Sequence, residues 1–277
     1  MGAVTLLVGD LDGLTAYYRD ALGLTVLRAV GNEVTLGRGT SPLVVLRHDP
    51  TLPSGSRRSA GLFHTAILFA DHAALAAAVL SAVRYAPSAF VGSADHLVSE
   101  AFYFTDPEGN GIELYVDRPR EEWTWSGGQL HMDTLALDPN DFLARHLTDA
   151  AREGAPSAAG ATVGHVHLQV GDTAVAREFY VDTLGFEATI EMRGALFVSA
   201  GGYHHHMAMN TWNSAGAGPR VPALGLGRVD IVLPGADDVT ALRSRLRSRG
   251  LDVRDDGASL EVEDPWRNLV RVTTPAA

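Results

Sequence analysis

The sequence predicts an α+β fold of four βαβββ modules, two in each of two tandem domains, and three observations carry that prediction. The first is a duplication. Gly2-Ala3-Val4-Thr5-Leu6-Leu7-Val8-Gly9-Asp10 aligns with Gly164-His165-Val166-His167-Leu168-Gln169-Val170-Gly171-Asp172, and the same shift of 162 residues carries Tyr18 onto Tyr180, Leu22 onto Leu184 and Gly23 onto Gly185. A register kept through a strand, a helix and a turn marks a true repeat. The second is that each half divides again into β-rich apolar runs, each followed by a helical stretch. The third is length: 277 residues exceed the usual size of one domain.

The opening strands of the four modules are expected at Ala3–Val8, Phe63–Phe69, Gly164–Val170 and Val229–Leu233, and their helices at Leu14–Ala21, Ala73–Val83, Val175–Thr183 and Val239–Arg249. Gly23, Gly185 and Gly250 stand where a helix ends, because glycine takes the left-handed cap conformation at little cost. Shorter strands follow at Thr25–Arg28, Leu43–Arg47, Phe102–Thr105, Ile112–Val116, Ala195–Ser199 and His205–Met209. The first domain is thus expected over 1–117 and the second over 161–277. The connecting segment, 118–160, carries Trp123, Trp125, a Gly-Gly pair, Pro156 and a further helix near Phe142–Arg152.

Apolar residues at 46% and charged residues at 20% fit a globular chain with a sizeable core. No apolar run approaches the roughly 18 residues of a membrane span, and no basic segment precedes an apolar stretch at the start, so a cytoplasmic location is expected. The absence of cysteine removes disulfides, zinc–thiolate sites and thiol nucleophiles together. A net charge of −11 argues against a nucleic-acid partner, whose phosphates need a basic face. A homo-oligomer is left open.

Specific motifs then carry a resemblance. His165-Val166-His167-Leu168-Gln169-Val170-Gly171-Asp172, Phe179-Tyr180, Leu184-Gly185-Phe186 and the turn Asp106-Pro107-Glu108-Gly109-Asn110-Gly111-Ile112-Glu113 together resemble the vicinal oxygen chelate superfamily. That superfamily includes glyoxalase I, bleomycin-resistance proteins and extradiol dioxygenases. Ser99–Tyr103, Asp117–Arg120 and Phe197–His206 are more narrowly similar to two-domain catechol 2,3-dioxygenases of the CatE type. The resemblance covers nearly the whole chain and implies tandem glyoxalase-like domains.

In that family the metal ligands come from the first and last strands of the modules. Module 1 offers Ala3, which cannot ligate; module 2 offers His64 and Glu113; module 3 offers His165, with His206 as its last-strand counterpart. Module 4 offers Arg228 and Arg271, whose fixed positive charges do not bind cations. The implied set is His64, Glu113 and His165, two imidazoles and one carboxylate, which suits non-haem Fe(II), with Mn(II) as the other metal. The set crosses from the first half to the second, whereas many extradiol enzymes draw all three ligands from one half. A lone histidine is more often a hydrogen-bonded or half-exposed residue than a ligand, and His48, His72, His131 and His146 take that reading.

Proton transfer at such a site calls for histidine, whose pKa lies near neutrality. The resemblance implies His206 for that role, sharing a strand face with His204, and Tyr103 as the tyrosine that meets a diol oxygen. His96 is either a pocket histidine or a loop residue paired with Asp95. Asn210 and His204 are expected to line the substrate pocket, and Trp212 to wall it. The implied activity is extradiol cleavage of catechol-type aromatics by O2 to muconic semialdehydes. Two alternatives stand beside it: a glyoxalase-like lyase or isomerase using His206 as a fourth ligand, and a non-enzymatic antibiotic-binding protein.

Overall fold

The computed structural model describes residues 1–154 and 159–275; Pro156 of the connecting segment lies outside them. All four βαβββ modules are present. Their first strands are Val4–Val8, Gly61–Phe69, Ala161–Gln169 and Gly225–Val232, and each leads into a helix followed by three strands. An aspartate starts three of the helices: Asp10, Asp71 and Asp172 accept hydrogen bonds from Gly13, Ala74 and Ala174 backbone N–H groups, closing donors that a helix start leaves unpaired.

The modules do not close up within their own halves. Modules 1 and 4 form one eight-stranded sheet, joined through Val4–Val8 and Gly225–Val232. Modules 2 and 3 form most of a nine-stranded sheet, joined antiparallel through Gly61–Phe69 and Ala161–Gln169. Each half of the sequence therefore gives one module to each sheet. What ties the modules of one half together is a repeated lock. Tyr18 Oη donates to Asp106 Oδ2 at 3.1 Å, and Tyr180 Oη donates to Asp264 Oδ2 at 3.0 Å. Asn110 and Asn268 brace those aspartates in matching turns. The duplicated helix tyrosine and the Asp-Pro turn are thus two ends of one buried contact.

Two expected elements shift. The strand expected at His205–Met209 runs over Met207–Asn210, because Gly201 and Gly202 with positive φ values of 66° and 68° hold a loop that lasts through the histidines. The helix expected near Phe142–Arg152 is two helices, Pro139–His146 and Asp149–Arg152, with Thr148 in extended conformation capping the second. Among the described residues, no helix is long and apolar enough to cross a membrane.

Candidate metal centre

The strand pairing explains why His64, Glu113 and His165 meet. Ala66 on the Gly61–Phe69 strand stands opposite His165 on one side and Glu113 on the other. His64, two residues earlier, shares its face, since strand side chains alternate. Ala66 is a methyl group at the centre of three converging chains, fully buried, and anything larger would push them apart. Gly164, next to His165, sits at a register shift between Val163 and His165, the kind of bulge that re-aims a neighbouring side chain. A Cβ at Gly164 would lie 1.7 Å from Tyr115 Oη, so only glycine lets Tyr115 pack beneath the site.

The three ligand atoms face one another. His64 Nε2 lies 2.9 Å from Glu113 Oε2, His165 Nε2 lies 3.2 Å from the same oxygen, and the two Nε2 atoms are 3.3 Å apart. All three residues are buried. Donor atoms about 3 Å apart fit a shared ion with bonds of roughly 2.0–2.2 Å. His165 Nδ1 has no hydrogen-bond partner among the described residues, so packing between Tyr115 and His205, with ring centroids at 5.0 and 4.0 Å, holds that ring.

The electrostatics suit the same use. Burial pushes the His165 imidazole down to about 4, against the pull of Glu113, so the ring is neutral near pH 7 with its lone pair available. Burial alone would raise the Glu113 carboxyl, but His165 and His64 outweigh it and hold it well below the usual carboxylate range. A neutral His165 imidazole beside an ionised carboxylate is a donor pair that a divalent cation needs.

The triad opens into a cavity of about 1130 Å³. Tyr103, cross-strand from Glu113, and His96 both line it, and His96 Nε2 lies 2.7 Å from Tyr103 Oη. His96 Nδ1 is 2.8 Å from the Asp133 carbonyl, which only an N–H can satisfy, so in the neutral ring Nε2 accepts from Tyr103. Asp95 turns instead to Arg118, at 2.7 Å, and to the Leu97 backbone. Leu97, with φ of 70°, holds this tight turn in the left-handed region where leucine is uncommon. Burial, then the Glu113 charge, hold the Tyr103 phenol well above its ordinary value, so it remains an O–H donor.

Trp212 lines the cavity, packed edge-on against Phe63 and His167 with both centroid distances at 5.4 Å. The other expected residues take different places. His206 points away from the cavity, accepting from the Ala200 N–H at 3.3 Å and lying against Tyr203. The residue that stands to module 3 as Glu113 stands to module 2 is Ala208, paired with His167 as Glu113 is with Ala66. His204 and Asn210 are fully buried behind the wall, the first bonded to His205 and the second to His167 Nε2 at 3.0 Å. His205 and His167 therefore reach the cavity where His206, His204 and Asn210 were expected. His167 was signalled by its spacing, two residues after His165 on the same strand face. His205 was not, because the parity assigned to the triple histidine assumed a strand that begins only at Met207.

The family model described as Glyoxalase/Bleomycin resistance protein/Dioxygenase superfamily matches residues 1–114 and 162–272. A catechol-2,3-dioxygenase of Bacillus subtilis (strain 168) is 35% identical over 271 residues, covering 96% of this chain and 93% of its own. Two solved structures share the fold. A Bacillus subtilis protein provisionally described as a dioxygenase aligns with a TM-score of 0.66 at 14% identity, over 100% of this chain and 86% of its own. Glyoxalase I from Zea mays aligns with a TM-score of 0.60 at 15% identity, over 99% of this chain and 92% of its own.

Proposed function

Because the chain belongs to the glyoxalase/bleomycin resistance protein/dioxygenase superfamily, we propose that it is an extradiol dioxygenase that opens catechol-type rings with O2 to muconic semialdehydes. The observation that carries this reading is the convergence of two imidazoles and one carboxylate beside a hydrogen-bonded tyrosine–histidine pair. A divalent metal held by His64, Glu113 and His165, Fe(II) by the donor set with Mn(II) as the alternative, supplies the point at which a diol and O2 react.

The chain's own groups do the rest. Tyr103 Oη, whose own hydrogen goes to His96 Nε2, accepts from a diol hydroxyl, so the proton that the diol gives away moves through Tyr103 to His96. His205 lies against His165 while Tyr103 lies against His64, so two proton-handling groups flank the triad on different strands. His205 is well below its ordinary pKa through burial and the neighbouring histidines, so it starts neutral, ready to accept a proton and return it to the opening ring. Phe63, Phe197 and Trp212 give the ring an apolar wall. The cavity exceeds the usual upper range for small-molecule pockets, about 1,000 Å³, which leaves space for ring substituents.

A glyoxalase-like reading needs a fourth ligand on the last strand of module 3, and Ala208 stands there. The test is anaerobic reconstitution with Fe(II), addition of a catechol and admission of air. Oxygen uptake with a yellow semialdehyde is the expected result. No uptake across substituted catechols and hydroquinones would refute the proposal, and O2-independent turnover with Ni(II) or Zn(II) would favour the lyase class instead.

A further inference from the structure

Behind His205 runs a chain of hydrogen bonds that reaches the protein surface. His205 Nδ1 lies 2.7 Å from His204 Nδ1, and His204 Nε2 lies 2.9 Å from Asp117 Oδ1. Tyr203 Oη donates to the other carboxylate oxygen, Asp117 Oδ2, at 2.9 Å, and lies 2.8 Å from Tyr115 Oη. Asp117 ends the strand that carries Glu113 and is part-exposed, whereas His204 is sealed from solvent. Trp123 of the connecting segment covers the His204 ring at 5.3 Å.

The proton count along this chain has one solution for neutral rings. Asp117 only accepts, so His204 Nε2 carries a hydrogen and His204 Nδ1 is a lone pair. The contact between the two Nδ1 atoms then requires the hydrogen to sit on His205 Nδ1. That leaves Nε2 as the bare acceptor of His205, a residue that lines the cavity.

We propose that His204, oriented by Asp117, is a positioning residue that fixes the tautomer and ring plane of His205, so that Nε2 faces the substrate as an acceptor. The role rests on the dioxygenase reading for its purpose, but not for its geometry. It accounts for a fully buried histidine whose two nitrogens are both committed and which touches no cavity. It also gives the connecting segment a function, because Trp123 seals the chain from water that would compete for these bonds.

The test is the nitrogen-15 chemical-shift pattern of the histidine rings in the full-length chain, recorded metal-free and loaded with diamagnetic Zn(II), together with steady-state kinetics of the Fe(II)-loaded protein. The expected pattern for His205 is protonated Nδ1 and bare Nε2. His204→Asn keeps an acceptor near the Nδ1 position and should preserve it. His204→Leu removes the acceptor and should move the hydrogen to Nε2, with kcat lowered about 10- to 100-fold, the usual scale for groups that orient a site residue, and KM changed little. Asp117→Ala, at the solvent end, should shift the hydrogen the same way should His204→Leu fail to fold. A wild-type His205 protonated on Nε2, or a tautomer unmoved by His204→Leu and Asp117→Ala, would overturn the proposal. An inactive protein with the expected tautomers would instead count against the dioxygenase reading and leave the positioning role in place.

Discussion

The two module pairs share one architecture and differ at the same four positions. Where modules 2 and 3 meet, His64, Glu113 and His165 surround the small side chain of Ala66. Where modules 1 and 4 meet, the corresponding positions are Arg228, Arg271 and Ala3, and the central residue is Asp230, paired with Arg271 as Ala66 is with Glu113. Asp230 takes Arg228 Nε at 2.7 Å on one oxygen and Arg271 on the other. One pair thus converges donors around a gap that a cation can fill. The other fills the gap with a carboxylate and surrounds it with cations. The duplicated fold supplies the converging geometry twice, and four side chains decide whether it can take up a cation or closes as an ion-pair cluster.

The largest expected effect comes from breaking the first pair. His165→Ala should lower metal content from about one ion per chain to near zero and reduce ring cleavage by at least about 1,000-fold, because a facial triad reduced to two ligands loses its chelate. Elemental analysis after gel filtration checks this, and retained metal would contradict the ligand assignment.

Next, the two neighbouring histidines should separate sharply. His205→Ala is expected to cut kcat by about 100-fold or more, within the usual range for a general acid or base, with metal retained. His206→Ala should change kcat only a few-fold, since its ring lies outside the cavity. Equal effects would remove His205 from the mechanism.

Asp230→Ala tests the other pair. It leaves Arg228 and Arg271 partly buried without their shared partner, at a cost of about 2 kcal/mol once the exposure of Arg271 is discounted. Denaturant midpoints should fall while metal content stays the same. A change in metal content would show that the two pairs are coupled.

The smallest effect concerns pH. His165 is held neutral by burial, with a folded pKa of about 4 against 6.5 unfolded. Below about 6.5 the unfolded chain binds more protons than the folded one, so stability is full above that pH and falls as the pH drops toward 4. The lowered Glu113 carboxyl acts in the same sense below its unfolded value of 4.5. The thermal midpoint of the metal-free chain should decline across this window, and His165→Ala should flatten the decline.

The fold was legible because each module repeats one hydrophobic period and because the helix tyrosines and Asp-Pro turns recur in step. That His64, Glu113 and His165 meet was legible because the family resemblance names first- and last-strand positions, which could then be compared across four modules. The exchange of modules between halves was visible only through the ligand types, not through any local signal, since strand pairing at long range leaves no periodic mark. Asp230 was hidden because a lone acidic residue on a strand says nothing of the two arginines that enclose it. The triple histidine misled because face parity depends on where a strand begins, and the Gly201-Gly202 loop delays that start.

The most direct measurement of the central claim is an anomalous difference map from a crystal of the Fe(II)-loaded chain, collected at the iron edge. A single peak among His64 Nε2, Glu113 Oε2 and His165 Nε2, with none beside Asp230, is the predicted result. A peak between modules 1 and 4, or one held by His204 and His205 in place of His64 and Glu113, would contradict it.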